Sequence, residues 1–161
     1  MLRVGIGYDV HPLEEGIPLI LGGVKIQHPL GLRGHSDADV ICHSIIDALL
    51  GAANIGDIGE HFPDTDERYK DISSLELLSE SVLLLKANGW EVVNIDVSVV
   101  AEEPKINPYK KEMIDNISNA MNCDANSVSI KATTNEKLGP IGRGEGIAAF
   151  SVAMLKVIEK K

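Results

Sequence analysis

RVGIGYDVH, residues 3–11, alternates side chains with the period of two that belongs to a β-strand. Val4, Ile6, Tyr8 and Val10 share one apolar face, and Gly5, Gly7, Asp9 and His11 share the other. Residues two apart on a strand point the same way, so the Asp9 carboxylate and the His11 imidazole form a two-pronged clamp. Further along, LILGGV (residues 19–24) within Ile17–Ile26 reads as a short hairpin turned by Gly22 and Gly23. Ser36-Asp37 is placed to cap a helix from about Ala38 to Gly51, with Ile41, Ile45, Ala48 and Leu49 at helical spacing. Asp39, His43 and Asp47 form its polar stripe.

DIGEHFPDTDERYKD, residues 57–71, is too irregular for an element and too long for a minimal connector, which marks it as a functional loop. Ser73 and Glu76 have capping-box spacing, and Leu75, Leu78, Val82 and Leu85 form the buried stripe of a helix ending at Gly89. Glu91 to Ala101 reads as a strand with Val93, Ile95, Val97, Val99 and Ala101 on one face. Asn107-Pro108 resembles an N-cap followed by proline at the first helical position, before Tyr109, Met113, Ile117 and Ala120. Val128, Ile130, Ala132 and Thr134 alternate as another strand, and a glycine-rich loop, NEKLGPIGRGEG, follows. Ile147 to Ile158 is apolar in both registers, so pattern alone does not separate strand from helix there.

With 161 residues, no internal repeat and no linker, residues 1–161 are expected to form one α+β or α/β domain, a sheet covered by two or three helices. Hydrophobic residues make up 44% of the chain and aromatics only 4%, so the core must be mainly aliphatic. A net charge of -9 argues against non-specific nucleic-acid binding and requires that any polyanionic substrate meet local cations. Cys42 and Cys123 stand in no CxxC spacing, which fits a reduced, cytoplasmic compartment. The opening residues lack the pattern of an export signal, and apolar runs such as Ser81 to Ala87 fall well short of the roughly 20 residues a membrane span needs.

His43 can complete the Asp9 and His11 clamp, with Asp39 and Asp47 one turn to either side to orient its imidazole. Three nitrogen and oxygen ligands with a fourth position open describe a catalytic zinc-type site; hydrogen-bonded surface or core histidines are the plainer alternative. GHSDAD, residues 34–39, precedes the His43 helix, so its loop and helix start can bind an anion through free backbone amides; a plainly capped helix is the alternative. In ATTNEKLGPIGRGEG, Thr133 and Thr134 offer hydroxyls for phosphate oxygens, and Glu136 would need a bridging cation beside them. A β-turn with a solvated glutamate is the plainer reading. Pro104 and Lys105 in AEEPKIN lie on an exposed turn, and His28 and His61 read as structural or surface residues.

Together DVH, GHSDADV, DIGEHFPDTD, ATTNEKLG and GRGEGI resemble the 2-C-methyl-D-erythritol 2,4-cyclodiphosphate synthases, in family order and over almost the whole chain. The resemblance implies a homotrimer with active sites between subunits, each protomer a mixed four-stranded sheet packed on helices with a strand at its end. It implies a lyase that converts 4-diphosphocytidyl-2-C-methyl-D-erythritol 2-phosphate to the cyclic diphosphate and CMP. Asp9, His11 and His43 would hold zinc, with manganese or cobalt as alternatives, and Glu136 a second ion, Mg²⁺ or Mn²⁺.

His35 and Thr134 match transition-state stabilisers, and Asp9, Val10, His11, His35 and Ser36 match substrate contacts. So do Asp57, Ile58 and Gly59 at the methylerythritol hydroxyls, and Phe62, Pro63, Asp64, Thr65 and Asp66 beyond them. Ala101, Pro104, Lys105, Ile106, Asn107, Ala132 and Thr133 match a cytidine pocket supplied by the neighbouring subunit, and Arg143 matches an arginine near the trimer axis. Asn135 and Pro140 depart from the threonine and aromatic residue of the family pattern. A zinc phosphohydrolase and a non-catalytic cytidine-nucleotide binder are the competing readings.

Overall fold

In the computed structural model, which describes residues 1–159, the opening alternation becomes strand β1 (Leu2–Glu15). There follow a hairpin of β2 (Leu19–Leu21) and β3 (Val24–Ile26), then β4 (Leu30–Leu32), α1 (Val40–Ala53), a single turn α2 (Ile58–His61) and α3 (Ser74–Ala87). β5 (Trp90–Val100), α4 (Lys110–Met121), β6 (Val128–Thr133), a single turn α5 (Gly139–Gly142) and β7 (Gly146–Val157) complete the order. Gly22 and Gly23 both have positive φ, 55° and 71°, as a two-residue hairpin turn of this hand requires.

The main sheet runs β4-β1-β7-β5-β6 and is mixed, β5 and β6 being parallel and the other pairs antiparallel. It has five strands, not the expected four. The added strand is β4, whose three residues pair with the end of β1 through Leu13↔Leu32, Glu14↔Gly31 and Glu15↔Leu30. Three residues around a glycine are too few to show alternation. The final segment is a strand, pairing with β1 on one side and β5 on the other. Val93 falls in a β-bulge, which takes it off the face that buries Ile95, Val97 and Val99.

α1 lies against β1 and β7, and α3 beside it against β5, so these helices cover one face of the sheet. The face of β1 they cover is the one that carries Gly5, Gly7, Asp9 and His11. A Cβ at Gly5 would meet the Ala48 carbonyl oxygen at 2.0 Å, and one at Gly7 would meet that of Ser44 at 1.9 Å, so the helix backbone rests directly on the strand. The apolar face of β1 looks outward instead: Ile6 is 72% exposed and Val4 63%, with Tyr8, Val10, Phe150 and Val152 also open.

Helix starts differ from the expected ones. Asp39, not Ser36-Asp37, is the N-cap of α1, its carboxylate accepting from the Ile41 and Cys42 amides at 3.1 and 3.3 Å, while Ala38 has a positive φ of 55°. Ser73 caps α3 without a side-chain bond, so the capping box does not form; Asp37 accepts from the Ser74 amide at 3.0 Å in its place. Asn107-Pro108 opens a 3-10 turn, Asn107–Tyr109, that leads into α4. The stretch at 57–71 contains two short ordered turns, α2 and a 3-10 turn at Glu67–Tyr69, because Asp57 and Asp66 cap them.

Candidate metal centre

β1 aims Asp9 and His11 at α1, and the first turn of α1 brings His43 to meet them. Asp9 Oδ2 lies 3.2 Å from His11 Nε2 and 3.0 Å from His43 Nδ1, and one ligand atom from each residue falls within 4.8 Å of the others. The side chains are 12–24% exposed, so the cluster is reachable but largely withdrawn from water. One carboxylate oxygen and two imidazole nitrogens are the donor set that zinc and similar divalent ions take, with room for a further ligand.

Each imidazole is held by its second nitrogen. His11 Nδ1–H donates to the Arg33 carbonyl at 2.7 Å, and His43 Nε2 lies 2.9 Å from Ser74 Oγ and 3.0 Å from Ser36 Oγ. Asp39 and Asp47 do not orient His43. Asp39 is fully buried and accepts from Gly22, Gly23, Ile41 and Cys42, whereas Asp47 accepts from the Ile58 amide at 2.8 Å. Spacing along the helix put both carboxylates beside the imidazole, but unpaired backbone amides elsewhere claim them.

Burial opposes ionisation of Asp9, yet the hydrogen bonds and charges of His11 and His43 outweigh it and hold the carboxyl well below the usual carboxylate range. Burial likewise lowers the His11 pKa, but its bond to Asp9 and the Asp9 charge win and raise it.

A cavity of about 460 Å³ adjoins the cluster, lined by His11 and His43, by His35 and Ser36, and by Ile58, Gly59 and Phe62–Thr65. His35 Nε2 is 3.3 Å from the Asp66 carbonyl, which joins the 34–36 loop to the 57–66 stretch. Arg68 grips the Asp66 side chain and keeps its carboxyl below the ordinary range. The amides at the start of α1 are not free for an anion, since Asp39 occupies those of Ile41 and Cys42.

Ala101–Asn107 and Ala132–Glu136 do not line this cavity. They meet each other elsewhere, because parallel pairing of β5 and β6 sets Val100 beside Thr133 and the Ala101 amide donates to the Thr133 carbonyl at 3.0 Å. Glu102 ties the two loops, accepting from the Asn135 and Lys137 amides at 2.8 and 3.3 Å. Thr133, Thr134, Asn135 and Glu136 are exposed, with Thr134 Oγ1 3.4 Å from Glu136 Oε1. Arg143 pairs with Glu145 at 2.7 Å and lines a second cavity with Glu102, Lys137 and His28. His61 Nε2–H donates to the Ile55 carbonyl at 2.7 Å and His28 bonds Leu30, both structural as expected.

Sequence reasoning missed Asp37 and Ser74 beside His43, Tyr69 in the cavity wall, where it packs edge-on against Phe62 at 5.4 Å, and Glu102. Glu102 and Asp37 carried a signal, as carboxylates inside the AEEPKIN and GHSDAD motifs; the link from Asp37 to Ser74 depends on a bond between segments more than thirty residues apart, and Tyr69 on cavity shape.

The model of the YgbB family matches residues 2–156. The 2-C-methyl-D-erythritol 2,4-cyclodiphosphate synthase of Prochlorococcus marinus (strain MIT 9215) is 57% identical over 156 residues, 96% of this chain and 94% of that protein. The synthase of the same name from Syntrophomonas wolfei is 55% identical over 155 residues, 96% of this chain and 99% of its own length. Among solved structures, the bifunctional IspDF of Campylobacter jejuni superposes with a TM-score of 0.95 at 45% identity, over 99% of this chain and 43% of that longer one. The CDP complex of Plasmodium falciparum IspF superposes with a TM-score of 0.86 at 38% identity, over 98% of this chain and 97% of that one.

Proposed function

This chain belongs to the YgbB family, and on that premise we propose that it converts 4-diphosphocytidyl-2-C-methyl-D-erythritol 2-phosphate to 2-C-methyl-D-erythritol 2,4-cyclodiphosphate and CMP. It is a cyclising phosphorus–oxygen lyase of non-mevalonate isoprenoid biosynthesis. The observation that carries the reading is the convergence of Asp9, His11 and His43 beside a cleft that also holds His35, Ser36, Ile58, Gly59 and Phe62–Thr65; Asp57 and Asp66 do not line it. Residues 1–161 act as a single synthase domain.

An oxygen of the 2-phosphate attacks the β-phosphorus, the new P–O bond closes the ring, and the bond to CMP breaks with its electron pair leaving on CMP. No water enters the balance. Asp9, His11 and His43 hold zinc, with manganese or cobalt as alternatives, and Glu136 holds Mg²⁺ or Mn²⁺; when bound, these ions supply Lewis-acid neutralisation of the diphosphate. The protein itself supplies position. Because nucleophile and electrophile belong to one molecule, folding the substrate into a ring-like pose replaces an encounter.

Asp57, Ile58 and Gly59 receive the methylerythritol hydroxyls, Phe62–Asp66 close over that end, and His35 and Ser36 hold the 2-phosphate. Thr134 and His35 stabilise the charge that develops at phosphorus. Val10 reaches substrate only through its backbone, because its side chain lies on the outer sheet face, opposite Asp9 and His11. Ala101, Pro104–Asn107, Ala132 and Thr133 take the cytidine, Asn135 borders it, and Arg143 lies near the axis of a homotrimer.

Two observations support that trimer. The outer sheet face exposes Val4, Ile6, Tyr8, Val10, Phe150 and Val152 together, and burying each such side chain is worth about 1.5–3 kcal/mol. The metal cleft and the 101–107 and 132–136 loops do not share a cavity within one protomer, which fits a site completed by a neighbouring copy. A cytoplasmic setting fits the two free cysteines, and none of the described helices is long and apolar enough to cross a membrane.

Phosphorus NMR of the reaction with zinc and Mg²⁺ tests the reading. CMP and a cyclic diphosphate are expected. A linear phosphomonoester would make the protein a hydrolase, and CDP binding without turnover would make it a nucleotide binder.

A further inference from the structure

We propose that Ser74 and Asp37 are a positioning pair that presets His43 to bind its cation through Nδ1. The inference rests on the metal site proposed above. Nδ1 is the nitrogen that faces Asp9, at 3.0 Å. For that atom to offer a lone pair, the proton of the neutral ring must sit on Nε2. Nε2 has two hydroxyl neighbours, Ser74 and Ser36, and a hydroxyl can either donate or accept, so neither alone selects a tautomer.

Asp37 removes that freedom at Ser74. A carboxylate can only accept, and this one accepts from the Ser74 hydroxyl at Oδ1 and from the Ser74 amide at Oδ2, 3.0 Å away. The carboxylate is steadied by the Asp39 amide at 3.2 Å, and the Asp37 backbone by the Ile72 carbonyl at 3.2 Å. With its proton committed, Ser74 Oγ has only a lone pair to give His43. Nε2–H therefore donates to Ser74, and Nδ1 is left bare toward Asp9.

Ser74 is fully buried, so no water competes for either bond. Ser36 is partly exposed, and its oxygen also accepts from the Ala38 amide at 3.3 Å. His11 reaches the same condition more directly, since the Arg33 carbonyl can only accept and so fixes the proton on Nδ1. In each neutral ring the nitrogen turned toward Asp9 is thus the one without a fixed proton; a second proton there bonds Asp9 when no cation is bound, and a cation takes its place.

The test is zinc affinity of the full chain, measured by competition with a chromophoric chelator, for the parent, Ser74→Ala, Asp37→Asn and Ser74→Thr. Ser74→Ala keeps the amide bond to Asp37 and should bind zinc roughly 10–100-fold more weakly, the range found when such supporting partners are removed. Asp37→Asn should weaken it in the same direction, because the amide can donate to Ser74 and turn its hydroxyl toward the ring. Ser74→Thr keeps the hydroxyl and should restore most of the affinity.

In the zinc-loaded parent, nitrogen-resolved NMR should show a slowly exchanging His43 Nε2–H that Ser74→Ala loses. A folded Ser74→Ala with parental zinc affinity, reduced only in melting temperature, overturns the positioning role, and so does a zinc-loaded parent without that protected proton. A parent that binds no zinc at all overturns the metal site itself, and this inference with it.

Discussion

The two halves of the candidate site are built to different states of completion. Asp9, His11 and His43 are drawn from a central strand and a packed helix, they are mostly buried, and every ring nitrogen has a partner. Thr133, Thr134, Asn135 and Glu136 sit at the end of an edge strand, exposed, with contacts mainly to their own loop and to Glu102. A half that must hold a small cation needs its geometry fixed inside one protomer. On the proposed reading, a half that admits a large nucleotide can stay open until a neighbouring copy supplies the opposite wall.

The largest effect expected comes from the finished half. Asp9→Ala or His43→Ala should abolish bound zinc and lower turnover by roughly 1000-fold or more, since several kcal/mol of charge stabilisation depend on the ion. Circular dichroism should remain near that of the parent. Next, Ile6→Asp places a charge on the open sheet face and should disperse the proposed trimer in sedimentation, taking turnover with it. Zinc titration of the dispersed protomer should still give one site of nearly parental affinity; loss of that site would break the contrast drawn between the halves.

A smaller and more selective change is expected at Glu136→Gln. Turnover should fall by about 100-fold or more and need higher Mg²⁺, while zinc affinity stays unchanged, because Glu136 would hold the proposed second ion and lies apart from the triad.

The smallest effect concerns pH. Burial tends to lower the His11 pKa, but Asp9 raises it on balance above its unfolded value near 6.5, so the pair's contribution is whole below pH 6.5 and is lost as pH rises through the raised pKa. The Asp9 carboxyl is held below its unfolded value, so its share is present above about pH 4 and is lost in stronger acid. Zinc-free protein should therefore melt slightly lower at pH 8 than at pH 6, by a few degrees at most, and His11→Ala should flatten the difference. Zinc should reverse the trend, because binding requires His11 unprotonated. A zinc-free melting temperature that rises from pH 6 to pH 8 would show that the pair does not couple to folding.

In the candidate metal triad, the strand period paired Asp9 with His11, whereas His43 on a separate helix was joined to them by the resemblance of the whole motif set. The strand itself was legible, but not which way it faces. Alternation reports that two faces differ, and here the face with the smaller and more polar residues lies against α1, since only glycine lets a helix backbone come so close. The roles of Asp39 and Asp47 were misread for a related reason: helical periodicity aligns side chains, while the unpaired amides of Gly22, Gly23 and Ile58 decide where carboxylates turn. β4 was invisible because three residues carry no period. Ser74 was visible only as part of a helix start, and its bond to Asp37 spans thirty-seven residues.

Gly5 and Gly7 bear on the choice of ion. Any side chain there would lift α1 off β1, and His43 rides on α1 while Asp9 and His11 ride on β1. The span across which a cation must reach is therefore gauged by two absent methyl groups. Retuning this centre toward a larger ion would begin at positions that never touch the metal, with the thickness of a spacer and not with the identity of a ligand.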